Sequence, residues 1–208
     1  MKFPDKLFHF GKSQYVGDFI PNGVISFGLA SGFLNNQLTK GQQDEEMKRT
    51  ATPPMEGTTV LVEDKLETAT PLSNVFSSMI KLGIRSPYFM KCFSLGFSNE
   101  MYDEVDGDVC VEIRDVPSFR DRFVRALSEQ LPDWGAVARS AEYWDLSEIP
   151  VERNQLDLMF LKDKTTYSHQ KEFRIVLTPP NGFEVTDQGT RKEIVLGPLH
   201  DICVLHCR

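Results

Sequence analysis

Over most of this chain, apolar and polar positions alternate with a period of two, the spacing of half-buried strands. Lys6 to Phe10 predicts a first strand, with Leu7 and His9 on one face and Phe8 and Phe10 on the other. Val24 to Phe27 and Thr58 to Glu63 read as further strands, and Tyr88 to Ser94 is the strongest, rich in aromatic residues. Gly107 to Ile113 and Val137 to Trp144 follow the same pattern. The C-terminal third predicts only strands: Phe173 to Leu177, Phe183 to Thr186, Glu193 to Leu196 and Ile202 to His206. Turns at Pro179-Pro180-Asn181-Gly182 and Gly197-Pro198 separate them.

One long stretch has helical periodicity. From Val116 to Gln130, the residues Phe119, Phe123, Ala126 and Leu127 form a stripe, with Asp115 as cap and Pro117 in the first turn. Shorter helices are expected at Gln14 to Ile20, after the cap Ser13, and at Leu38 to Arg49, where Asp44, Glu45 and Glu46 look like a solvated face. Leu29 to Asn36, Asn99 to Val105 and Leu156 to Leu161 read as single turns or short helices. Val75 to Leu82 fits strand or helix. The expectation is one α+β domain spanning residues 1–208, with a mixed or antiparallel central sheet and peripheral helices.

Bulk properties narrow the function classes. The 208 residues are enough for a real core, and 40% hydrophobic with 25% charged content is ordinary for a globular chain. A net charge of -7 argues against a binder held mainly by nucleic-acid phosphates. Neither an apolar run of membrane-spanning length nor a secretory signal is read, so a cytoplasmic location is expected. Cys92, Cys110, Cys203 and Cys207 contain no CxxC spacing and are expected to be free thiols. Cys203, His206 and Cys207 make too poor a ligand set for zinc, and no metal is expected.

The candidate chemistry gathers near Gln170 to Val176. Strand alternation puts Gln170, Glu172, Arg174 and Val176 on one face, and neighbours on it lie ~7 Å apart. Gln170 and Arg174 would then flank the Glu172 carboxylate. An edge-strand pair that solubilises the sheet is the plainer reading. At the first strand, His9 can bond a ribose hydroxyl, and Gly11 lets a ligand approach the backbone.

Taken in order, LFHFG, CFSLG and QKE resemble the motifs of the ADP-ribosyltransferase superfamily. The resemblance implies an ADP-ribosyltransferase-like fold with NAD as substrate. His9 would hold the NAD ribose, Ser94 would support the glutamate, Glu172 would be catalytic and Gln170 would face the acceptor. Tyr88, Tyr102 or Tyr15 would offer nicotinamide an aromatic face, and Arg174, Lys162 or Lys164 would pair with the pyrophosphate. The chain departs from the pattern in having Ser94-Leu95-Gly96 where a Ser-Thr-Ser triplet is usual. A wider set, CFS, FLK and E-x-R, resembles the DUF2971-like, abortive-infection-associated bacterial proteins. Together these imply a bacterial toxin or phage-defence effector that transfers ADP-ribose to a protein or nucleic-acid acceptor, with an antitoxin or regulatory protein as a further partner. A non-catalytic immunity, antitoxin or sensor module, and an NAD glycohydrolase, are the alternatives.

Overall fold

The computed structural model describes residues 4–34, 46–51, 59–60, 70–71, 80–84, 86–145, 154–185 and 190–208. Its strands are β1 (Leu7–Gly11), β2 (Val24–Leu29), β3 (Lys48–Ala51), β4 (Thr59–Val60), β5 (Thr70–Pro71), β6 (Ile80–Gly83) and β7 (Phe89–Ser94). After these come β8 (Val109–Ile113), β9 (Gly135–Ser140), β10 (Glu142–Trp144), β11 (Leu161–Asp163), β12 (Glu172–Thr178), β13 (Arg191–Val195) and β14 (Cys203–Cys207). The helices are α1 (Ser13–Val16), α2 (Glu100–Glu104), α3 (Val116–Gln130), α4 (Gln155–Leu158) and α5 (Lys164–Tyr167). The class is α+β with a mostly antiparallel, open sheet, as the alternation predicts.

The main sheet has eight strands in the order β13-β2-β7-β1-β8-β14, with β12 lying against β7 and β9 against β12. β10 and β11 form a small parallel pair beside it, and β3–β6 and β4–β5 are separate antiparallel pairs. Strand β12 is central because it pairs along its length with both β7 and β9. Its Ile, Val and Leu residues suit a strand buried on both faces.

The alternation of β12 separates two environments. Phe173, Ile175 and Leu177 enter the larger core with Phe89, Phe93, Phe119 and Phe123. Val176 enters a second core with Tyr88, Met90, Phe160 and Leu161, and Glu172 and Arg174 share that face. Helix α3 begins where expected: Asp115 Oδ1 accepts from the Ser118 N–H at 3.0 Å. Its buried residues are Val116, Phe119, Phe123, Ala126 and Leu127, the predicted stripe.

Several expectations change. Lys48–Ala51 is a strand paired with β6, where a helix to Arg49 was expected; the rest of that segment, 38–45, lies outside the described residues. Ile80–Gly83 resolves the Val75 to Leu82 ambiguity in favour of a strand for its described part. The Gln14 to Ile20 helix shortens to one turn, Ser13–Val16, at whose start Asp108 takes both the N–H and hydroxyl of Ser13, at 2.6 and 2.8 Å. Val137 to Trp144 divides after Ala141: its N–H still donates to the Glu172 carbonyl at 2.8 Å, in register with β12, while the next N–H, of Glu142, donates to the Phe160 carbonyl at 2.8 Å as β10 turns to pair with β11. Phe183 to Val185 is not a strand; Phe183 packs its ring against Trp134 and Phe89. All four cysteines are free thiols. Among the described residues, no helix is long and apolar enough to cross a membrane.

Candidate functional site

Strand β12 starts at Glu172, not at Gln170. Lys171 has a φ of 45°, in the left-handed region, which ends the extended repeat. Gln170 therefore belongs to a single 3-10 turn, Ser168–Gln170, and reaches the Glu172 side from the turn. The expected flanking arrangement is replaced by a closer one. Lys162, delivered by β11, donates to Gln170 Oε1 at 3.1 Å and to Glu172 Oε2 at 2.7 Å. Arg174 Nε donates to Glu172 Oε1 at 2.6 Å.

The cluster extends inward to Glu46. Arg174 holds both Glu46 oxygens through its terminal nitrogens, at 2.7 and 2.8 Å, and donates to the Met159 carbonyl at 2.6 Å. Two acids and two bases thus form one nearly neutral buried group, with side-chain exposures of 0% for Arg174, 1% for Glu46, 5% for Glu172 and 6% for Lys162. Burial raises the Glu172 carboxyl, but the charges of Arg174 and Lys162 outweigh it and hold the group at about 2. Arg174 stays charged: the attraction of Glu172 and Glu46 raises it despite burial.

The outer rim is polar and aromatic. Gln170 Nε2 donates to Glu104 Oε2 at 3.2 Å, and Glu104 also pairs with the exposed His169 at 2.5 Å. Tyr143 Oη accepts the Glu172 N–H at 2.7 Å, and the Tyr167 ring lies 4.2 Å from Lys162 Nζ. Tyr143 and Glu46 are the members that the sequence reading missed. Glu46 sits in an acidic run that looks solvated, and the only signal for Tyr143 is its half-apolar strand. Cys92, opposite Arg174 in register, hydrogen-bonds Glu172, and burial pushes its thiol well up.

The other expected members fall elsewhere. Ser94 lies opposite Glu172 in register but does not bond its carboxylate; its hydroxyl reaches the carbonyls of Gly96 at 2.8 Å and Gln170 at 2.9 Å, tying the turn to β7. Tyr88 is fully buried, with its hydroxyl on the Glu46 carbonyl at 3.2 Å, so its ring cannot meet nicotinamide. Arg174 is sealed and has no exposed edge for a pyrophosphate. Tyr102 is buried at 1% exposure against Phe10, and Tyr15 is open to solvent on α1.

His9 is the largest departure. Its neighbours Phe8 and Ser94 pair across β1 and β7, which puts Phe8 on the Glu172 face and His9 on the opposite one. There it stacks on Phe19 and meets the edge of Phe93, each with ring centroids 5.8 Å apart. The space beside Gly11 is used by the chain itself: a Cβ there would come within 2.9 Å of Val16 Cγ2. His9 and Glu172 thus share no cleft.

One cavity, of about 190 Å³, is apolar and lies between α3 and strands β9 and β12. Another, of about 240 Å³, lies by Lys12, Ser13 and Asp108. Neither is lined by His9 or Glu172, and both are below the roughly 300–1,000 Å³ usual for small-molecule sites. Comparisons of the chain with protein-family models, with curated proteins and with solved structures give no match.

Proposed function

We propose that this chain serves as a non-catalytic binding module, of the immunity, antitoxin or sensor kind, in a bacterial toxin or phage-defence system. One observation carries the reading: both oxygens of Glu172 are engaged by cations, Arg174 at 2.6 Å and Lys162 at 2.7 Å, in a group closed to solvent. A carboxylate that stabilises an oxocarbenium-like ribose must be reachable and carry uncompensated charge, and this one is 5% exposed with a cation on each oxygen. This one is committed to holding Arg174, which in turn holds Glu46. Its partner is a protein rather than a nucleic acid, since a net charge of -7 repels a polyanion.

A second reading keeps an ADP-ribosyltransferase-like fold and an activity on NAD, either transfer to a macromolecule or glycohydrolysis. It is favoured by the meeting of Glu172, Gln170 and Lys162 at one place, with Tyr143 and Tyr167 beside them. The two readings separate in one experiment: millimolar NAD is added to the folded protein, with calorimetry and nicotinamide release as readouts. The binding module gives neither heat nor nicotinamide. Nicotinamide released by the wild type, and lost in a well-folded Glu172→Gln variant, overturns it.

A further inference from the structure

The second edge of β7 is shared by two strands. β1 pairs with it at Phe8↔Ser94, and β2 pairs with it at Gly28↔Met90 and Leu29↔Phe89. Between these points neither strand is in register with β7, so the sheet forks at Lys91 to Phe93. His9 fills the fork. Its ring bonds the Cys92 carbonyl, which leaves its Nε2 as acceptor, 2.7 Å from Lys91 Nζ.

This is an unusual setting for an amine. Lys91 lies opposite Ile175 in register, on the apolar face that carries Phe93 and Phe173. Among the described residues, no carboxylate pairs with it; its bonded partner is an imidazole. Burial keeps His9 neutral, well below its ordinary value, and the Lys91 charge adds to that. Burial also lowers Lys91 to about 8, and the charge of Arg191 acts in the same direction. Both side chains are half-buried and not sealed.

We propose that Lys91, paired with His9 in the fork of the sheet, is a reactive amine that forms an imine with a small aldehyde or ketone. The Lys91 nitrogen lone pair bonds the carbonyl carbon, the carbonyl π electrons pass to oxygen, and one nitrogen proton passes to that oxygen by way of His9 Nε2, giving the neutral carbinolamine. The nitrogen lone pair then expels the hydroxyl, which takes the second nitrogen proton, again by way of His9, and leaves as water, so His9 ends neutral as it began. One water is released and nothing is oxidised or reduced. At neutral pH an amine of this kind is free in roughly one molecule in ten, against fewer than about one in a thousand for an exposed lysine. The site is independent of the Glu172 cluster, which lies through the sheet.

The test uses the full chain, acetaldehyde and sodium cyanoborohydride, which reduces the imine to a stable ethylamine. Labelling at each lysine is followed in time by peptide mass spectrometry. Lys91 is expected to label about ten-fold or more faster than the exposed Lys164 and Lys171 at pH 7.5, with a rate that levels off above about pH 8. His9→Gln, which can accept a hydrogen bond but not a proton, should slow Lys91 and leave Lys164 and Lys171 unchanged. Lys91 labelling no faster than those two in folded wild-type protein overturns the proposal, and that measurement stands alone if the variant fails to fold. Equal Lys91 rates in the wild type and a folded His9→Gln protein would remove His9 from the step.

Discussion

The two faces of the central sheet treat charge in opposite ways. On the Glu172 face, two acids and two bases are buried together and every charge has a partner of opposite sign. On the other face, Lys91 is half-buried against a neutral histidine, whose own ring packs on Phe19 and Phe93. Burial costs a charge heavily unless it is paired. The first face meets that cost with counter-charges, so its groups stay ionised. The second meets it by lowering Lys91 to about 8, which leaves part of the amine uncharged at neutral pH. The face that carries Glu172 and Gln170 is thus the charge-balanced one, and the apolar face holds an amine with no carboxylate partner among the described residues.

The largest expected effect breaks the paired face. Arg174→Met leaves Glu172 and Glu46 buried without their shared cation, and should cost ~3–5 kcal/mol. For a chain of this size that lowers the melting temperature by roughly 6–20 °C. Urea denaturation of the variant measures it, and a loss under ~1 kcal/mol would show that the cluster opens to water more readily than its geometry implies.

Acid should act on the same face. Glu172 is held at about 2, below its unfolded value, so its contribution is present above the ordinary carboxylate range and lost as pH falls through about 2. Glu112, bonded by Lys6 and His206, is also held at about 2 and acts in the same sense. Stability should therefore fall steadily between about pH 4.5 and pH 2. Replacing Glu172 by Gln should flatten part of that fall.

The opposite face should respond to alkali. Lys91 is lowered in the folded state, so the unfolded chain binds more protons between about pH 8 and 10.5, and stability should rise across that window. Lys91→Met removes the buried amine, should remove its share of the rise, and should stabilise the protein at pH 7 by up to about 3 kcal/mol. Denaturation midpoints at pH 7 and pH 10 decide this; a Lys91→Met protein weaker at both would mean that the His9 hydrogen bond outweighs the burial cost.

The smallest effect sharpens the rim of the paired face. Tyr143→Phe removes the acceptor of the Glu172 N–H and should cost ~1 kcal/mol. Urea unfolding reads it, and a loss under ~0.3 kcal/mol would discount the Tyr143 bond.

Local patterns carried well into the structure. The α3 stripe and its Asp115 cap were legible because a helix satisfies its own backbone within four residues. The strands β1, β7, β8 and β12 were legible to within a residue or two, since alternation reports directly which side chains face a core. The start of β12 was misplaced because the left-handed turn at Lys171 has no glycine or asparagine to announce it. Phe183 to Val185 alternates like a strand, yet its aromatic ring is used in side-chain packing, not in a ladder.

From sequence alone, this chain reads as an α+β protein with a mixed or antiparallel sheet, with Phe173, Ile175 and Leu177 facing one side and Glu172 and Arg174 the other. Those facts follow from chain geometry at short range. Tertiary structure decided which groups meet them: Lys162 through β11, Glu46 from 128 residues before Arg174, and Lys91 across from His9 at a fork between strands. Whether a carboxylate is a reagent or half of a closed ion pair depends on the charges within about 4 Å of it. Those neighbours come from strands that sequence spacing does not order, and so the first-strand histidine came to lie through the sheet from the glutamate it was expected to join.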